Sequence, residues 1–273
     1  MTTLWERFDA ALGDLRVTAS DGSVAQKEYQ ICGQGGPYNV SVEQLHRDVL
    51  RLTRYDPSCD SSRTDMLAAN AASRYWGFAV AGGRVTVQAD IFAEDLEVTR
   101  EIMADLSAPL TCVKGGKQCR APHPDGIEDK DPRRMQRLRC ALESEVIKFA
   151  AQDDGSLTAE IVVTRRSAPY RLQCNTVPGP MVELRSQVSE TPIHSESLRH
   201  YLLDRSREFT GCRAAIDHEG HPMLIAFVPF CAIELGGFGR RSEMFLQGLH
   251  ELRNLSFLHD PVVSRLYHAF NVH

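Results

Sequence analysis

GFAVAGGRVTVQADIF, Gly77 to Phe92, divides into two apolar-rich runs joined by Gly82-Gly83. On the second run Val85, Val87, Ala89 and Ile91 fall on one side, and Thr86, Gln88 and Asp90 on the other. Alternation with period two marks a strand that buries one face. The paired glycines supply the positive φ of a tight hairpin turn. The stretch is therefore expected to be a hairpin in an antiparallel sheet whose polar face meets water. Amphipathic helices flank it. TDMLAANAASRYW precedes the hairpin, and Asp95 opens a following helix with Leu96, Thr99, Ile102, Met103 and Leu106 on one stripe. Sheet and helices in this order predict an α+β fold.

The pattern occurs twice. A shift of about 134 residues carries the first helix stripe, Leu4, Trp5, Phe8, Ala11, Leu12 and Leu15, onto RLRCALESEVIKFA. The same shift carries Gly77 onto Gly211. There the helix-like SESLRHYLLDRSREFT leads into a second hairpin, CRAAIDHEGHPMLIAFVPF. Phe245, Leu249, Leu252 and Leu255 then repeat at helical spacing, and Asp260-Pro261 opens a last helix. Strand-like alternation fills the second half in SLTAEIVVT, YRLQC and MVELRSQVS, and the first half in LRVTAS and KEYQICG. Where the second half has a third strand, SVEQLHRDVLRLTR places Val42, Leu45, Val49 and Leu52 at helical spacing. Ser41 and Gln44 there make a capping box, so an extra helix is expected over 41–53. Each half is thus read as α-βββ-α-ββ-α, an antiparallel sheet with helices packed on one face. The halves are a domain over 1–106 and a domain over 133–273. Between them, 107–132 is rich in proline, glycine and mixed charge and reads as a linker.

At 273 residues, with 42% hydrophobic and 25% charged residues, the chain has the composition of a globular protein. Net charge is −5 and the sequence pI about 6.1, which argues against a nucleic-acid partner. No run reaches the length of a membrane helix, and the first residues lack a signal-peptide core, so a cytoplasmic location is expected. The eight cysteines include no CxxC pair, which suits reduced, buried thiols. Cys112 and Cys119 are spaced too loosely for a zinc knuckle.

Chemistry-bearing residues are few. His218 and His221 flank Glu219 and Gly220, but Gly-His-Pro is turn chemistry and HExxH is absent. ELGGFGRRSE carries Arg240 and Arg241 after a glycine-rich loop, a weak phosphate signal without the following Lys-Ser or Lys-Thr. Arg133, Arg134, Arg137 and Arg139 follow an acidic run and are read as a solvated, salt-bridged face. No catalytic residue, metal or cofactor is predicted. Arg240, Arg241, His218 and His221 form the candidate anion or polar site of an alternative reading, an enzyme or small-ligand protein working in an inter-domain cleft.

PMLIAFVPFCAI differs from the first hairpin, because both of its faces are apolar. Leu224, Ala226, Val228 and Phe230 fill one. Met223, Ile225 and Phe227 fill the other and are the candidate partner-binding residues. Burial of Ile225 or Phe227 is worth about 1.5–3 kcal/mol each, so this second face is expected to be covered, by protein or by a partner.

The helix–Gly–strand–turn–strand–helix blocks at 66–106 and 198–256 resemble type III secretion chaperones and the related YbjN-like family. The resemblance covers most of the chain, once per half, and is one of architecture and acidic character. It implies protein binding without catalysis, with a partner polypeptide held on sheet and helix surfaces. A tandem chain would be a monomeric pseudo-dimer or a homodimer.

Overall fold

The computed structural model describes residues 2–20, 25–33, 36–55, 62–73, 75–107, 136, 140, 150–151, 157–165, 168–177 and 181–254. The chain divides into two compact units, Met1–Ala121 and Pro122–His273. Each has its own antiparallel sheet and its own helices, the α+β arrangement expected from the hairpins.

In the first unit, α1 (Leu4–Leu12) starts at a capping box. Thr3 accepts from the Glu6 N–H, and Glu6 accepts from the Thr3 N–H. Then follow β1 (Arg16–Ser20), β2 (Gln26–Gly33), β3 (Gly36–His46), β4 (Val49–Tyr55), α2 (Arg63–Ala72), β5 (Gly77–Ala81), β6 (Arg84–Phe92) and α3 (Thr99–Ser107). The six strands lie in the order β1-β2-β3-β4-β6-β5. Tyr29, Ile31, Val40, Val42, Leu50, Leu52, Val87, Ala89 and Ile91 make the buried side of this sheet. Helices α1 and α3 meet that side. Tyr29 donates its hydroxyl to Asp9 at 3.0 Å and takes the Phe8 ring edge-on, while Tyr38 donates to the Met103 carbonyl at 2.8 Å.

The second unit repeats the plan with β7 (Ala150–Ala151), β8 (Leu157–Arg165), β9 (Ala168–Val177), β10 (Met181–Gln187), α4 (Glu196–Ser206), β11 (Arg213–Ile216), β12 (Pro222–Pro229), α5 (Phe230–Glu234) and α6 (Phe238–Arg253). Its order, β11-β12-β10-β9-β8-β7, is the first sheet read from the opposite edge. Val182, Leu184, Leu224, Ala226 and Val228 face Phe245, Leu249 and Leu252 of α6 in the core. Helix α6 rides close over β12: a Cβ on Gly248 would stand 3.3 Å from both the Leu224 and Cys212 side chains.

Four strands, not three, precede the middle helix in each unit. The expected helix over 41–53 is instead the β3–β4 hairpin. Its register shifts between Gln44 and His46, so Leu45 sits at a β-bulge. The extra residue there converts alternation into a spacing of three, which imitates a helix. Gln44 does not cap a helix at Ser41, and its side chain donates to the Arg47 carbonyl at the turn. Sheet pairing on both sides of β3 and β4 outweighs the local pattern. Asp95 likewise does not open a helix. A 3-10 segment over Ala93–Val98 precedes α3, and buried Asp95 accepts the Phe92 N–H at 3.1 Å. The expected helices over RLRCALESEVIKFA and after Asp260, the four arginines from Arg133 to Arg139, and Cys112 and Cys119 lie wholly or almost wholly outside the described residues.

The polar side of the first sheet is wet only in part. Gln26, Glu28, Asn39 and Glu43 on β2 and β3 are exposed. On β4 and β6, Thr86 is 0% and Arg51 7% exposed. Arg51 and Asp90 face each other across β4 and β6 and pair through two hydrogen bonds of 2.8 Å. Alternation marks the polar side, but solvent does not reach this end of it: Thr86 donates to the Ala79 carbonyl and Arg51 pairs with Asp90, so the buried polar groups are satisfied.

Candidate functional site

The turn between β11 and β12 gathers three side chains of metal-ligating type. Asp217, Glu219 and His221 each bring one donor atom within 4.8 Å of the others. The backbone of the turn brings the three residues close together. The Asp217 N–H reaches the His221 carbonyl at 3.1 Å, the Gly220 N–H returns to the Asp217 carbonyl at 3.1 Å, and Gly220 sits at φ 89°. Only glycine adopts that φ without strain. Asp217 Oδ1 accepts the N–H groups of Glu219 at 2.9 Å and His221 at 2.8 Å. Its other oxygen, Oδ2, lies 3.0 Å from His221 Nδ1, and Glu219 Oε2 lies 3.4 Å from the same nitrogen. An ionised carboxylate can only accept, so Nδ1 carries the proton in this arrangement. Partial burial works against the Asp217 charge, but the hydrogen bonds from His221 and Glu219 prevail and hold its carboxyl below the usual range. The turn is anchored outside itself by the Ile193 N–H, which donates to the Gly220 carbonyl at 2.8 Å.

His218 projects from the same turn, 89% exposed, with Nε2 3.9 Å from Glu219 Oε1. Arg240 and Arg241 are elsewhere. They belong to the first turn of α6, beyond Pro229, whereas His221 directly precedes Pro222. The seven steps of β12 put about 23 Å between those ends. The four polar residues grouped by the sequence reading therefore do not form one site. The glycine loop before Arg240 is not a phosphate cradle either. Gly236 N–H donates to the Ile233 carbonyl and Gly237 N–H to the Ala232 carbonyl, with Gly236 at φ 80°. This is the double bond of a Schellman motif closing α5, so both amides are already used.

Met223, Ile225 and Phe227 lie on the side of β12 turned away from α6. Met223 and Ile225 are buried, at 7% and 0%, and Phe227 is half-buried. Their neighbours on β10 are charged or polar, Gln187, Arg185 and Glu183, and on β11 Arg213 stands opposite Ile225 and Ala215 opposite Met223. Arg213 places its guanidinium 5.1 Å from the Phe227 ring centre, and Arg185 pairs with buried Glu183 at 2.6 Å. The face is thus an aromatic ring under an arginine beside an ion pair, not a bare apolar patch. Arginine stems and guanidinium planes cover apolar surface in the way aliphatic residues do.

The buried thiol of Cys174 is pushed up to about 12 by burial and by the Glu183 carboxylate, which leaves it a packing residue at neutral pH. Asp217 was not among the residues singled out from the sequence. Its signal was present in DHEG, where an Asp three residues before Gly is an Asx-turn pattern that reuses its carboxylate.

Comparison of the chain with protein-family models, with curated proteins and with solved structures returns no match.

Proposed function

We propose that this protein is a non-catalytic binding protein that holds a partner polypeptide, in the manner of the secretion chaperones and YbjN-like proteins it resembles. The observation that carries the reading is the sheet order, the same in both units when read from opposite edges. A chain that encodes one α+β module twice is suited to offering two related surfaces to one extended partner. Charge supports it as well, since a net −5 keeps such a scaffold soluble and off nucleic acid. On this reading the partner lies on the sheet side turned away from α1 and α3 in the first unit and from α6 in the second. Exposed Gln26, Glu28, Asn39 and Glu43 line it in the first unit, and Phe227 with Arg213 in the second.

The tagged full chain, purified from its native cells, is expected to carry one polypeptide at fixed stoichiometry through size-exclusion chromatography. Phe227→Ala is expected to weaken that complex while the melting curve of the free protein keeps its cooperativity. A chain that purifies alone overturns the reading. A complex indifferent to Phe227→Ala moves the contact off this face.

A further inference from the structure

We propose that the β11–β12 turn is a binding site for one divalent transition-metal ion, with Asp217 Oδ2, Glu219 Oε2 and His221 Nδ1 as ligands. The inference is independent of the protein-binding reading and departs from the sequence expectation of no metal.

The geometry argues for it. A zinc-sized ion bonds oxygen and imidazole nitrogen at about 2.0–2.2 Å. Neighbouring ligand atoms around such an ion are therefore separated by about 2.9–3.6 Å, from octahedral to tetrahedral angles. His221 Nδ1 stands 3.0 Å from Asp217 Oδ2 and 3.4 Å from Glu219 Oε2, and all three atoms lie within 4.8 Å. Two of the three edges of a coordination triangle thus have the needed length before any ion enters.

The shell behind the ligands supplies the second argument. Two backbone N–H groups hold Asp217 Oδ1, which aims Oδ2 at the imidazole. Orienting bonds of this kind tune metal sites. Two carboxylates balance the charge of a divalent cation, and a single imidazole with oxygen donors suits zinc, cobalt or manganese ahead of calcium. Ion entry replaces the Nδ1–H···Oδ2 bond. The ring proton sits on Nε2 in the bound form, and the Nδ1 lone pair goes to the metal. Three protein ligands leave a fourth position for water. The turn is at the surface, with Glu219 63% exposed, so the ion needs no entry path through the core.

The test uses the full chain freed of metal with a chelator, then titrated with Co2+ followed by visible absorption and with Zn2+ followed by calorimetry. Wild type is expected to take up one equivalent at this turn with submillimolar or tighter affinity. Glu219→Gln is expected to weaken that equivalent by at least about 10-fold. His221→Gln is expected to remove it, and His218→Gln to leave it in place. Because the Glu219 side chain is exposed, E219Q keeps the metal-free melting temperature and decides the matter even if H221Q misfolds. Failure of wild type to bind, or a stoichiometry and affinity unchanged in E219Q, overturns the proposal. So does loss of binding in H218Q with E219Q unaffected.

Discussion

Asp217 shows how one carboxylate can carry a local structure. Its Oδ1 closes the turn through two N–H groups, and its Oδ2 meets His221. Asp217→Ala is expected to cost about 1 kcal/mol of unfolding free energy near pH 6, since the side chain is partly solvated. The pH dependence has a definite sign. A carboxyl whose folded value is depressed stabilises the fold in full above its unfolded value, about 3.9, and loses that contribution as pH falls through the lower folded value. The difference in melting temperature between wild type and D217A, measured without metal, should shrink as pH falls below about 4. A gap that widens in acid would contradict this assignment. The sequence made the turn legible through Gly220 and Pro222, but the anchoring acid is a matter of which oxygen reaches which N–H.

At the scale of elements, hairpins and helices with clean periods were legible and the exceptions have physical causes. β5–β6 runs as its alternation predicts, β11–β12 forms the expected hairpin although β12 is apolar on both faces and yields to α5 at Phe230, and α1 keeps its stripe with Trp5, Phe8 and Leu12 buried. The β3–β4 hairpin was misread because a bulge at Leu45 shifts the phase of its apolar positions. The polar face of β6 was misread because alternation reports which side is polar and not whether that side is solvated. The sheet position of the buried charges recurs in both units. Val49 pairs with Phe92, as Met181 pairs with Pro229, at the start of β4 and of β10. Two residues further along these strands stand Arg51 opposite Asp90, and Glu183 opposite Phe227. In the first unit the ion pair spans two strands, and in the second it runs along β10 from Glu183 to Arg185. Removing one member of a buried pair leaves an uncompensated charge, whereas replacing both by apolar residues is often neutral. Asp90→Leu or Arg51→Leu alone is expected to cost about 3–5 kcal/mol in urea unfolding, and R51L/D90L much less than their sum. Additive losses would mean that the two side chains do not act as a pair.

Over the whole chain, the duplication makes its own prediction at the sheet edges. An edge strand exposes unpaired backbone groups and needs cover. In the first unit α2 supplies it through Asn70, which is fully buried. Asn70 Oδ1 accepts the Phe78 N–H at 2.6 Å, and its Nδ2 donates to the Phe78 carbonyl at 3.0 Å. One side-chain amide thus stands in for the next strand against β5. In the second unit Ser206 of α4 does half of this work, accepting the Ala214 N–H of β11 at 2.9 Å. Both bonds join residues eight apart in the chain, so helix, connection and edge strand share one plan even where the residue type differs. Neither residue stood out in the sequence, because an Asn or Ser in a helix acquires this role only when a strand edge comes alongside. If the two are counterparts, their deletion costs should scale with the backbone groups they satisfy. Asn70→Ala strands a donor and an acceptor and is expected to cost roughly 2–4 kcal/mol, while Ser206→Ala strands one donor and costs about 1–2. Urea unfolding of the two variants measures this directly, and hydrogen exchange should quicken at Phe78 in one and at Ala214 in the other. Equal costs, or protection of either amide unchanged by its own variant, would separate the two edges and reduce the likeness of the units to their strand order.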